Sequence, residues 1–127
     1  MHYLGVDIVN IARIERAVAV WGERFLKRVY TDAELTRYRR RLASLASRFA
    51  AKEALIKALG GISDGFSWRE IEIISNEAGR PQLRLYGSML NRARELGLEH
   101  FDVSLSDCEE YAVAFVIAET AGGTKED

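Results

Sequence analysis

The segment that most narrows what this chain can fold into is Ser44 to Leu59, SLASRFAAKEALIKAL, followed by Gly60-Gly61. It is rich in Ala and Leu, holds no Gly or Pro, and ends where glycine makes a left-handed cap easy, so it predicts a helix over 44–59. The other segments arrange themselves around it. Residues 2–9 are partly β-branched and run into Asn10, a good N-cap, which predicts a strand leading into a helix over 10–30. In that helix Ile11, Ile14, Val18, Trp21 and Phe25 recur at three- and four-residue steps as a buried stripe, while Arg13, Arg24 and Arg28 lie along another face. Thr31 and Glu34 form a T-x-x-E capping box that starts a second helix with Leu35, Tyr38 and Leu42 inward.

After a GISDGFS loop, WREIEII alternates at period two, NEAGRP turns, and QLRLY resumes, predicting two antiparallel strands. Ser88 to Leu96 reads as a short helix closed by Gly97. Phe101, Val103 and Leu105 alternate as a strand, residues 107–110 turn, and Tyr111 to Ala118 is apolar on both faces, as a central strand would be. The order β-ααα-ββ-α-ββ is an α+β domain, an antiparallel sheet packed with helices.

A chain of 127 residues with 48% hydrophobic residues and one Pro suits one globular domain over 1–120, with AGGTKED at 121–127 as a disordered tail. The single cysteine, Cys108, allows no internal disulfide, and neither a basic leader nor an apolar run of spanning length is present. A cytoplasmic location and no membrane partner are therefore expected. The net charge of −1 conceals an asymmetry: residues 1–57 stand at +6 and residues 58–127 at −7. The basic half could meet an anionic partner, or the halves or neighbouring subunits could attract one another. A nucleic-acid binder would use that half and the RYRRR run at 37–41, but the pI near 6.2 and the lack of an aromatic-basic stacking surface count against it.

The helix RFAAKEALIKALG sets Phe49, Glu53 and Lys57 on one face among small alanines, which let something approach closely. A surface Glu-Lys pair is the plain reading of that spacing. Asp7 interrupts the strand Gly5-Val6-Asp7-Ile8-Val9, where a carboxylate is costly to bury unless it caps a helix, pairs with a cation or binds metal. A strand Asp and a helix Glu could share a hard cation such as Mg²⁺, leaving positions for water and phosphate oxygens.

GVDIVNIARI and RFAAKEALIKALG together resemble the two signature blocks of the holo-acyl-carrier-protein synthase family, the 4'-phosphopantetheinyl transferases of this size. WREIEI, NEAGRP and VSLSDCEEYAVAFVI follow in the family's order, so the resemblance covers roughly residues 3 to 119. It implies a 4'-phosphopantetheinyl transferase-like fold and Mg²⁺-dependent transfer of 4'-phosphopantetheine from coenzyme A to a serine of apo-acyl carrier protein, releasing 3',5'-ADP for fatty acid biosynthesis. By motif match Asp7 and Glu53 are the metal ligands, Lys57 faces phosphate, and Glu53 and Lys57 are the catalytic pair. The base that takes the serine proton is either a Glu53-linked water or Lys57 with a lowered pKa.

The resemblance also directs Arg48 at coenzyme A phosphates, with a helix-surface charge as the alternative; the RYRRR run, Arg41 within it, could likewise meet the 3'-phosphate or be a solvated face. Pro81, after Gly79, matches a turn near the adenosine. Ser106 and Asp107 lie in a hairpin that meets the nucleotide, where the family carries a histidine after S-[IL]-[ST]; Asp107 departs from it, and neither His2 nor His100 stands at that position. Asp107 would repel phosphate unless paired, or would serve the metal site through water. Arg13, Arg24, Arg28 and Phe25 resemble the surface where carrier proteins dock. A homotrimer with active sites between subunits is implied too. The rival reading is a metal-free, carrier-binding paralogue without catalysis, for which Asp107 speaks and the intact Asp7, Glu53 and Lys57 do not.

Overall fold

The structure is a computed structural model and describes residues 1–61 and 65–121. The expected tail lies outside the described residues from 122 on, as do residues 62–64 of the GISDGFS loop.

Strand β1 (His2–Asn10) leads into helix α1 (Ile11–Trp21), whose first turn is capped by the Asn10 side chain accepting from the Ala12 N–H at 2.9 Å. The expected single helix over 10–30 is instead two. Gly22 sits at φ 55, ψ −131, its N–H bonds back to the Val18 carbonyl, and its own carbonyl accepts from Phe25 and Leu26 as α2 (Glu23–Val29) begins. That left-handed backbone is cheap only for glycine, and it redirects the chain. As a result Trp21, expected in the buried stripe, is 57% exposed, while Ile14 is the buried residue of α1.

Helix α3 (Asp32–Tyr38) starts with both bonds of the expected capping box, Thr31 Oγ1 accepting from the Glu34 N–H and Glu34 accepting from the Thr31 N–H. Leu35 and Tyr38 are buried as expected, but the chain turns after Tyr38, and Leu42 opens α4 (Leu42–Ala58). At its end the Gly61 N–H bonds to the Ile56 carbonyl and the Gly60 N–H to the Lys57 carbonyl, with φ 85 and 83, a Schellman cap on the two glycines.

The strands are antiparallel but fall into two sheets rather than one. β2 (Ile71–Ser75) and β3 (Pro81–Leu85) form a hairpin whose turn is held by the Asn76 side chain accepting from Ala78 and Arg80. Residues 68–70 make a 3₁₀ turn before β2 rather than its first residues. Helix α5 (Gly87–Glu95) leads through Gly97 to β4 (Leu98–Asp107) and β5 (Tyr111–Thr120). The larger sheet has the order β1-β5-β4, so β5 is the central strand, as its two-sided apolar pattern predicts.

One face of this sheet is the core: Ala112, Ala114, Val116 and Ala118 of β5 are buried beneath α4, as is Val9 of β1. The opposite face is bare in the single chain, with Leu4, Val6 and Ile8 at 58, 56 and 62% exposure beside Phe115 at 42%. The small residues of α4 serve a close approach. A Cβ at Gly5 would lie 1.8 Å from the Ala54 carbonyl oxygen and 3.0 Å from the Ala58 nitrogen, so the backbones of β1 and α4 touch there.

Gly5→Ala must push a helix backbone off a strand. It is expected to destabilise by about 3 kcal/mol, at the upper end of overpacking, which lowers Tm by roughly 10 °C in a domain of this size. Thermal unfolding followed by circular dichroism checks this; an unchanged Tm would contradict the close approach.

Candidate active site

Asp7 shares the inward parity of Gly5 and Val9 on β1, so its carboxylate points toward α4 just past the contact at Gly5. Lys57 Nζ donates to Asp7 Oδ1 at 2.7 Å, and lies 3.4 Å from the Val6 carbonyl. The Asp7 side chain is only 10% exposed against 60% for Lys57. The second carboxylate oxygen, Oδ2, is buried with no hydrogen-bond partner, the single such side-chain atom among the described residues. A buried carboxylate oxygen without a donor is costly, and it marks a place that a cation or donor completes.

Glu53, one turn before Lys57 on α4, stands beside it. Its pKa is pushed up to about 7, first by burial and then by the neighbouring Asp7 carboxylate, against the pull of Arg13 and Lys57. Lys57 is shifted upward instead, because it donates to Asp7. The expectation that Lys57 could act as base through a lowered pKa therefore loses its premise; the ammonium is held charged by its partner. Arg13 leaves the other docking arginines for this neighbourhood, its guanidinium 5.6 Å from the centre of the Phe49 ring. Phe49 in turn stacks on Trp68 at 5.2 Å.

The residues present fit a hard cation. Two carboxylates, one with an orphaned oxygen, face a charged lysine, and among the described residues no cluster of three or more ligand-type side chains occurs. Mg²⁺ is bound through one or two carboxylates with water and phosphate oxygens completing its shell, so a two-carboxylate site matches its habit.

The remaining expected site residues lie in three places. Arg24, Phe25 and Arg28 line a cleft of about 390 Å³ together with Trp21, over whose ring the Arg24 guanidinium sits at 5.9 Å. Trp21 was missed as a surface residue, because its spacing alone puts it in the apolar stripe. Arg41, the residue before α4, shares a cleft of about 410 Å³ with Arg37, Arg39 and Arg40. Arg39 there is ion-paired to Glu23 and Arg37 donates to the Ser75 carbonyl at 2.8 Å.

Arg48 is not a helix-surface charge. It is buried, stacks 3.9 Å from the centre of the Tyr38 ring, and donates to Ser75 Oγ at 2.9 Å and Ser47 Oγ at 3.2 Å. Pro81 lines a third cleft, about 380 Å³, against Ser104 of β4 and Phe115 of β5. Ser106 and Asp107 are exposed at the end of β4, and Asp107 pairs across the ladder with Ala112. Asp7 lies on β1 beyond the intervening β5, at least about 10 Å across the sheet. Within one chain Asp107 does not join the Asp7–Glu53 pair.

Sequence reasoning also missed Lys52. It is fully buried, and its ammonium donates to the Glu34 carboxylate at 2.8 Å, the Val29 carbonyl at 2.7 Å and the Trp68 carbonyl at 3.2 Å. Its only sequence signal is position, between Phe49 and Leu55 at three-residue steps on the buried side of α4.

The chain matches the 4'-phosphopantetheinyl transferase superfamily over residues 3–116. A holo-[acyl-carrier-protein] synthase of Dehalococcoides mccartyi is 50% identical over 119 residues, covering 94% of this chain and 99% of that protein. One of Herpetosiphon aurantiacus is 49% identical over 120 residues, covering 89% and 94%. Among solved structures, the Helicobacter pylori holo-[acyl-carrier-protein] synthase in complex with coenzyme A superposes with a TM-score of 0.82 at 31% identity, covering 91% of this chain and 99% of that one. The Neisseria meningitidis enzyme gives 0.84 at 36% identity, covering 93% and 98%.

Replacing Asp7 by Asn removes one of the two causes that hold the Glu53 pKa up. That pKa is expected to fall from about 7 while staying above the ordinary 4.5, since burial is the larger cause. In the metal-free protein the raised Glu53 lowers stability as pH rises from about 4.5 to about 7, because the folded state holds a proton the unfolded chain has lost, and Asp7→Asn flattens that loss. Carboxyl-carbon NMR titration checks both parts; an unshifted Glu53 in the variant would contradict the pairing.

Proposed function

The chain belongs to the 4'-phosphopantetheinyl transferase superfamily, and from that we propose that it is a holo-[acyl-carrier-protein] synthase, transferring 4'-phosphopantetheine from coenzyme A to a serine of an apo-acyl carrier protein. The observation that carries this reading is the Asp7–Glu53 carboxylate pair with its orphaned buried oxygen and the charged Lys57 beside it. Asp7 and Glu53 would hold Mg²⁺, which when bound neutralises the pyrophosphate and so eases attack at the β-phosphorus. Lys57, 60% exposed and held charged by Asp7, presents a cation to phosphate oxygens.

In the reaction the serine oxygen bonds to the β-phosphorus, the bond to the bridging oxygen breaks, and 3',5'-ADP leaves. The serine proton passes to a water held by Glu53 and on through it to solvent. Binding groups around this centre are Arg41 and Arg48 toward the coenzyme A phosphates, and Pro81, Ser106 and Asp107 toward the nucleotide. Since Asp107 stands two strands from Asp7 in its own chain, we place it and Ser106 at the site of a neighbouring subunit.

The bare apolar sheet face of Leu4, Val6, Ile8 and Phe115 supports that assembly, a homotrimer with active sites between subunits. The carrier would dock on Arg24, Phe25 and Arg28, with Arg13 nearer the reacting centre. A cytoplasmic single domain over 1–120 accords with a free Cys108 and with no helix, among the described residues, long and apolar enough to cross a membrane. Against nucleic acid, much of the basic half is engaged within the protein: Arg48 and Lys52 are buried, Arg39 pairs with Glu23 and Lys57 with Asp7.

The test is incubation with Mg²⁺, coenzyme A and an apo carrier protein, read by intact mass spectrometry. Wild type is expected to add one phosphopantetheine per carrier. Glu53→Gln and Asp7→Ala are expected to lose at least a thousandfold in rate with unchanged circular dichroism, as removal of a metal ligand implies; near-normal turnover in either would overturn the metal assignment. Arg24→Glu with Arg28→Glu is expected to raise the KM for carrier about tenfold or more while coenzyme A affinity, by titration calorimetry, stays within about twofold. Equal loss of both would misplace the docking face.

A further inference from the structure

Among the described residues Lys52 is the one buried lysine, and the proposed chemistry does not use it. Its three N–H groups each go to a different segment. One meets the carbonyl of Val29, the last residue of α2; one meets Glu34, in the first turn of α3; one meets the carbonyl of Trp68, in the 3₁₀ turn. Glu34 is buried with it and accepts from the N–H groups of Thr31 and Ile73 as well, at 2.9 and 2.7 Å. A positive charge at the C-terminal carbonyls of α2 also suits the helix dipole.

Stability alone does not explain a lysine there. A buried ion pair is at best about as favourable as apolar side chains of the same volume, and often less so. What an ammonium supplies and a methionine does not is direction, three bonds at fixed angles. Here the bonds tie α4 to two of the segments packed around it. α2 carries Arg24, Phe25 and Arg28. The Trp68 ring stacks on Phe49, one turn from Glu53. Lys52 itself is the neighbour of Glu53 on α4, so its bonds to α2 fix where that helix stands relative to the carboxylate.

Resting on the function proposed above, we propose that Lys52 is a positioning residue for carrier recognition. Its hydrogen bonds to Val29, Glu34 and Trp68 hold the docking helix α2 at one distance and direction from Glu53, so that a carrier seated on Arg24, Phe25 and Arg28 presents its serine at the Asp7–Glu53 pair. Coenzyme A, which does not use α2, is indifferent to it.

The experiment compares full-length wild type with Lys52→Met, measuring carrier kcat/KM, coenzyme A affinity in Mg²⁺ by calorimetry, and Tm. The variant is expected to lose about tenfold to a hundredfold in carrier kcat/KM, the scale of a remote misplacement of about 1 Å, with coenzyme A affinity within about twofold. A merely structural lysine predicts otherwise: a lower Tm, fewer active molecules, and an unchanged carrier KM in those that remain folded. That result, or equal losses for both ligands, overturns the proposal. Should Lys52→Met not fold, Lys52→Gln, which keeps a neutral donor for Glu34 but not all three bonds, carries the same comparison. Wild type without any transfer would instead overturn the underlying reading, and this inference with it.

Discussion

The backbone contact between β1 and α4 at Gly5 and Ala54 is the constraint on which the rest of this structure depends. With no side chain between them, strand and helix come together so closely that a single added carbon would strike the Ala54 carbonyl. Asp7 lies two residues along the same strand face and Glu53 lies next to Ala54, so the contact delivers the two carboxylates to one another. Ala50, Ala51 and Ala58, all buried, extend the smooth surface that makes this possible. The small residues of the helix are thus a geometric device first and a helix-propensity feature second.

Around that contact the protein keeps two charged clusters in opposite conditions. The Lys52–Glu34 pair is wholly buried and every donor of the ammonium finds an acceptor, so it can only hold elements in place. Asp7, Glu53 and Lys57 are incomplete: one oxygen has no donor, one carboxyl is pushed toward neutrality, and the lysine opens to solvent. Incompleteness of that kind is destabilising unless a ligand supplies the missing charge, which is why it points to function. Lys52 of the one cluster and Glu53 and Lys57 of the other all stand within six residues of α4.

Much of this was legible in the sequence. The Ala-rich helix with its diglycine end, the Thr31–Glu34 box, the Asn76 turn and the central position of β5 all appear where local pattern predicts them, because each is settled by residues close in the chain. Asp7 and Glu53 were also legible, one as a carboxylate in an apolar strand, the other as a carboxylate among alanines. What escaped is what tertiary context decides. Gly22 inside an otherwise helical period reads as a tolerated residue until its left-handed backbone splits the helix and turns Trp21 outward. Lys52 and Arg48 are written like any lysine and arginine on a helix, and only the packing of α2, α3 and β2 against α4 makes them buried cations. That β2 and β3 form a separate sheet depends on pairings between distant strands, which periodicity does not report.

On the function proposed above, the β1–α4 contact brings Asp7 and Glu53 together as the cation site that receives the coenzyme A pyrophosphate. Crystals grown with Mn²⁺ in place of Mg²⁺ and with coenzyme A, measured for the anomalous signal of manganese, test it most directly. One strong peak is expected between the carboxylates of Asp7 and Glu53, with pyrophosphate oxygens and water completing its shell and Lys57 close to phosphate. Manganese bound elsewhere, or coenzyme A bound with its pyrophosphate away from Asp7 and Glu53, would contradict it.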